Sequence, residues 1–219
     1  MTRYVITYYE DLNSAQHRPE RQLMAIWKDQ WQRLGWSPMV LGLADSQSHP
    51  QHPDYVRIVS GYPTVNAPDY ELACWRRWLA YDQFADIHPD VPMVFMDYDV
   101  FPLADFALPK RSAWLHPART PVLFDHGPLI KAMIKLAVDC AERGIVRQQG
   151  RMHVSDYTLA QAACEGPLEI LCTDWPEMAP MVHIPNGPME RDKVTIAHSL
   201  IDRAWGTAQV LHGIDTPAA

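Results

Sequence analysis

The chain has 219 residues, 47% of them hydrophobic, with 8 Trp and 9 Tyr, which is enough apolar material for one large core or two closely fused lobes. Its formal net charge of −7 leaves no overall positive field to attract a polyanion, so nucleic acid is disfavoured as the main partner. No window approaches the roughly 20 apolar residues needed to cross a bilayer, and the N-terminus shows no leader pattern, so the cytoplasm is the expected location.

A compact aromatic and β-branched run, Tyr4 to Tyr9, followed by polar residues reads as a first strand opening into a loop. A helix is expected next, with Pro19 in its first turn and Leu23, Trp27, Trp31 and Leu34 recurring on one face until Gly35 stops it. Pro38 to Leu43 reads as a second strand covered on both faces, which makes the order β-α-β. Ser, Gln, His and Pro dominate residues 45–54, which predicts a surface loop with solvated His49 and His52, and a short strand is expected at Tyr55 to Val59.

Pro68-Asp69 opens a second helix with Leu72, Trp75 and Leu79 on one face and Arg76 and Arg77 beside them, ending near His88-Pro89. Pro92 to Met96 is then an apolar strand that delivers Asp97-Tyr98-Asp99 at its C-terminal end. Ligand sites of open α/β sheets lie at that end of the strands. A third helix is predicted over Pro128 to Arg143, and another starts at Ser155. Cys74, Cys140, Cys164 and Cys172 form no C-x-x-C pair and are expected to be reduced.

Two carboxylates one residue apart raise each other's pKa unless a cation is bound. Mg²⁺ or Mn²⁺ takes one or two carboxylates and completes its shell with water and substrate phosphates, which a nucleotide diphosphate would supply. Strand termination and turn capping by Asp97 and Asp99 is the plain alternative. A second alternative is a haloacid dehalogenase-like phosphatase with Asp97 as nucleophile, although more than 90 residues precede this strand and no later Gly-Asp-x-x-x-Asp pair follows.

With Val94 to Val100 as an apolar strand plus Asp-x-Asp motif, then Asp125-His126-Gly127, Ser155-Asp156-Tyr157 and Ala197-His198-Ser199 in order, the chain resembles the GT-A glycosyltransferases. The resemblance implies one α/β domain with a mixed, mainly parallel central sheet flanked by helices. Residues 1–103 would form the nucleotide-sugar-binding half and residues 104–219 the acceptor and catalytic half.

It further implies a metal-dependent enzyme that moves a sugar from a nucleotide diphosphate sugar to a hydroxyl acceptor. That acceptor would be a saccharide, a small molecule, a protein or a modified nucleic-acid base. Asp97, Asp99 and His198 would hold Mn²⁺ or Mg²⁺, with Val194 to Ile196 as a strand aiming the His198 ring. Thr7, Tyr8, Tyr9, Arg76, Arg77, Asp97 and Tyr98 would bind the donor, although either tyrosine also fits a core and either arginine a solvated helix face. Asp156 would be the general base or would orient the sugar; Ser155 stands where the family commonly has Glu, which leaves a non-catalytic nucleotide-sugar-binding module as a further alternative.

Overall fold

A computed structural model describes residues 2–12, 18–109, 113–115, 122–125, 127–143, 153–156, 158–159, 181–184, 193–199 and 201. In chain order the elements are β1 (Tyr4–Tyr8), α1 (Arg18–Arg33), β2 (Ser37–Leu41), α2 (Leu43–Gln47), α3 (His52–Val59), α4 (Pro68–Ile87), β3 (Met93–Met96), β4 (Val100–Pro102), β5 (Ala113–Leu115), β6 (Val122–Phe124), α5 (Pro128–Glu142) and β7 (Met181–His183). Residues 193–199 are also helical.

The main sheet has the order β2-β1-β3-β6-β5. β1 pairs in parallel with β2 and β3, whereas β6 runs antiparallel to both β3 and β5. Four of the five strands therefore point one way, and the sheet is mixed. Because β2 lies on one side of β1 and β3 on the other, the chain reverses its direction of travel across the sheet at the β1/β3 boundary.

The pleat divides the core in two. Ile6, Tyr8, Met93, Phe95 and Leu123 face one cluster, built with α3, α4 and α5. Val5, Val94, Met96 and Phe124 face the other, built with Leu23, Trp27 and Trp31 of α1 together with Ala197 and Ile201. Burying each large aliphatic or aromatic side chain contributes about 1.5–3 kcal/mol, so this alternation fixes the register of the strands. Gly35, with φ of 76°, ends the α1 segment in a backbone region that a side chain would strain.

α4 starts at Pro68 with Asp69 and Glu71 in its first turn, as its sequence predicts, and His88 caps its end. Tyr81 packs on Phe95, with ring centroids 4.7 Å apart, while Trp75 faces Tyr62 at 5.3 Å. The helix is thus sandwiched between sheet and outer helices, and its N-terminal half flanks the C-terminal ends of β1 and β3.

Four local expectations need correction. Tyr55 to Val59 lies in α3 and not in a strand; Pro53 and Asp54 open a helical turn, and the i, i+4 pair Tyr55 and Val59 is buried. The stretch 45–54 is mostly helical, and His49 is only 6% exposed because its Nε2 lies 3.1 Å from Asp82 Oδ2 while its Nδ1 accepts the Gln51 N–H. β2 is an edge strand with Met39 exposed, so it is not covered on both faces. Val194 to Ile196 is helical, because Ala197 and Ile201, four residues apart, dock into the α1 core and override the local β-branched run.

Cys74 and Cys140 are free thiols, as expected, whereas Cys164 and Cys172 lie outside the described residues. No helix among the described residues is long and apolar enough to cross a membrane.

Candidate functional site

β1 ends at Tyr8 and runs into Tyr9 and Glu10; β3 ends at Met96 and runs into Asp97, Tyr98 and Asp99. Both exits lie at the place where the chain changes side in the sheet, which is where open α/β folds form a ligand crevice.

The two aspartates each carry a cation of the chain. Arg77 Nη1 donates to Asp97 Oδ1 at 2.7 Å, and Lys193 Nζ donates to Asp99 Oδ2 at 2.8 Å. Arg77 also reaches Asp156 Oδ2 through Nε at 2.7 Å and Nη2 at 2.5 Å, and Trp78 Nε1 donates to the same oxygen at 3.0 Å. One guanidinium from α4 thereby ties the end of β3 to Asp156, which is only 2% exposed. Burial pushes the Arg77 pKa down, but Asp156 and then Asp97 more than reverse this, and it ends well above its ordinary value. A fork-shaped, permanently charged donor suits such a double bridge better than lysine.

Asp156 is held there by a local device. The Thr158 N–H donates to Ser155 Oγ at 3.1 Å while the Ser155 N–H donates to Thr158 Oγ1 at 2.9 Å, a reciprocal cap on the helical turn that begins at Asp156. The helix start expected at Ser155 is therefore present among the described residues, and Tyr157 lies outside them.

Beside this bridge sits a second one. Arg76 donates to Glu10 through Nε at 2.8 Å and Nη2 at 2.5 Å, and the Tyr8 hydroxyl donates to the same carboxylate. Burial, then the Glu10 hydrogen bond, pushes the Tyr8 pKa up. Tyr8 therefore belongs to the core lining, and Thr7 is fully buried within β1. Tyr9 is half-buried and meets Tyr98 edge to face, with centroids 5.9 Å apart. Burial, followed by Glu20 and Asp99, raises the Tyr98 phenol's pKa and keeps it protonated.

Four carboxyl groups, on Glu10, Asp97, Asp99 and Asp156, thus face three cations, on Arg76, Arg77 and Lys193. The donor chemistry fits a hard divalent ion: Asp97 (side chain 35% exposed) and Asp99 (11%) supply carboxylate oxygens, and such ions complete their shell with phosphate and water. His198 is exposed on the 193–199 helix, and among the described residues no three His, Cys, Asp or Glu side chains gather to hold a metal. Asp125 is fully buried and accepts the Ile130 N–H at 2.9 Å, so it caps α5, with Gly127 at φ of 114° turning the chain between them; His126 is outside the described residues.

No protein-family model matches the chain, and no curated protein matches it. Among solved structures the chain is similar to a glycosyltransferase involved in the glycosylation of the major capsid of PBCV-1. The likeness has a TM-score of 0.47 at 12% identity and covers 91% of this chain and 99% of that one. Its weight is small.

Sequence reasoning missed Glu10, Glu71, Trp78 and Lys193. Glu10 had a positional signal, since it directly follows the first strand. Glu71 is 4% exposed; its Oε2 accepts from Asn66 Nδ2 at 2.8 Å and Thr64 Oγ1 at 3.3 Å, and burial raises its pKa. Nothing in the local sequence marks Lys193, which meets its partner 94 residues away.

Proposed function

We propose that the chain is a metal-assisted glycosyltransferase that moves a sugar from a nucleotide diphosphate sugar to a hydroxyl acceptor. The observation that carries this reading is the convergence of Asp97, Asp99, Arg77 and Asp156, from different parts of the chain, on the C-terminal exits of the parallel strands β1 and β3.

Asp99 and Asp97 would hold Mn²⁺ or Mg²⁺, which when bound supplies positive charge against the departing diphosphate. Arg77 holds the Asp97 carboxylate at the end of β3, and Asp156 keeps Arg77 there. Three N–H donors already converge on Asp156 Oδ2, so Asp156 orients the site and does not serve as the base for the acceptor hydroxyl. Tyr9 and Tyr98 present aromatic surface at the strand exits, where a nucleotide base stacks.

Transfer or slow hydrolysis of nucleotide sugars is expected with Mn²⁺ and is expected to fall at least a hundredfold in Asp99→Ala; equal rates in the two proteins would defeat the proposal. Trapping of a phosphorylated Asp97 would instead establish the phosphatase reading. Tight nucleotide binding without turnover across many acceptors would establish a binding module.

A further inference from the structure

We propose that Lys193 is a built-in counter-ion that keeps the place of a divalent cation on Asp99 and passes to the donor's diphosphate when that cation binds. The inference rests on the nucleotide-sugar reading above and deepens it by naming the residue that couples metal to donor.

The pair is enclosed: the Lys193 and Asp99 side chains are 14% and 11% exposed, and Nζ lies 2.8 Å from Oδ2. In such a weakly solvated place charges act on one another far more strongly than in water. An ammonium and a divalent ion therefore compete for the same carboxylate, and arrival of one favours departure of the other.

The backbone that carries the ammonium is anchored independently of it. Ala197 and Ile201, 1% and 5% exposed, anchor the Lys193-bearing segment in the same core as Trp27 and Phe101. The backbone of residues 193–199 can stay in place while the flexible four-carbon stem swings. Asp99 is anchored as well, since its carbonyl accepts the Ile184 N–H at 3.0 Å. Arg77 is the contrast: bridged between two carboxylates, it has no comparable freedom. A compact ammonium on a flexible stem can serve as a mobile phosphate partner, whereas a guanidinium fork fixed on both sides serves as a brace.

The test is an Mn²⁺ titration of the full chain, read by water-proton relaxation, on the wild type and on Lys193→Met, Lys193→Arg and Asp99→Asn. Removing the competing charge should tighten Mn²⁺ binding about tenfold in Lys193→Met, whereas Lys193→Arg should stay near the wild-type value. Asp99→Asn should weaken binding severely. Asp99-dependent binding that is equal or weaker in Lys193→Met would overturn the proposal while sparing the metal site. Mn²⁺ affinity indifferent to Asp99→Asn would sink the metal site and the proposal together.

Should Lys193→Met not fold, acylation of lysines in the wild type, read by mass spectrometry, decides the matter. Labelling of Lys193 should rise severalfold at saturating Mn²⁺ and fall again when pyrophosphate is added. Constant labelling under Mn²⁺ would refute the exchange.

Discussion

Asp156 shows how burial decides a role. At 2% exposure, with Arg77 and Trp78 on one oxygen, it ties α4 to its own turn, which under the proposed function makes it a positioning residue. Asp156→Asn is expected to lower kcat about a hundredfold through misplacement of Arg77, while the pH profile of the residual activity keeps its shape; loss of the alkaline-rising limb would instead reveal a base. Glu71 carries a pH signature of another kind. Its folded pKa is raised above the ordinary 4.5, first by burial, so its contribution to stability is fully present below pH 4.5 and is lost as pH rises through the folded value. Glu71→Gln copies the protonated form, and its stability advantage over the wild type in urea unfolding should grow from pH 4 to pH 7. Of these residues Asp156 was legible in the sequence and Glu71 was not, because Glu71 reads as an ordinary first-turn helix acid until Thr64 and Asn66 fold over it.

Among elements, those whose pattern and packing agree were readable. α4 begins at its proline, and β3 is a buried apolar run that ends in acid, as the residues dictate. α3 was misread, because the β-branched residues of Tyr55 to Val59 outweighed the start signal of Pro53 and Asp54, and packing on α4 and α5 favours the helix. The turn at Asp156 depends instead on a cap that can be removed. Ser155→Ala deletes the acceptor of the Thr158 N–H and should cost about 1 kcal/mol. Urea unfolding would measure that loss, and activity should fall with it, since the same turn aims Asp156.

At the scale of the whole molecule, the sheet carries a separate core on each face, and one of them forms where α1 meets it. Trp31 is fully buried, and its ring lies 5.3 Å from that of Trp36 and 6.0 Å from that of Phe106. Trp31→Ala should destabilise the fold by about 3–5 kcal/mol and, in chemical denaturation, shift the transitions of both cores together if the shared sheet makes them one cooperative unit. A single sequence shows the β-α-β order and the strand exits, but not which distant side chains will meet there. Glu10 finds Arg76 across 66 residues and Asp99 finds Lys193 across 94, and separations of that size leave no local pattern.

The Lys193 pairing also has a consequence for the order in which the ribosome delivers the parts. Asp97, Asp99 and Arg77 emerge early, and Asp156 follows, but the ammonium that neutralises Asp99 is made 94 residues after its carboxylate. A nascent chain that has already formed its parallel strands therefore still lacks one positive charge at the end of β3, and under the proposed metal site this growing intermediate should gather divalent ions from its surroundings more avidly than the finished protein.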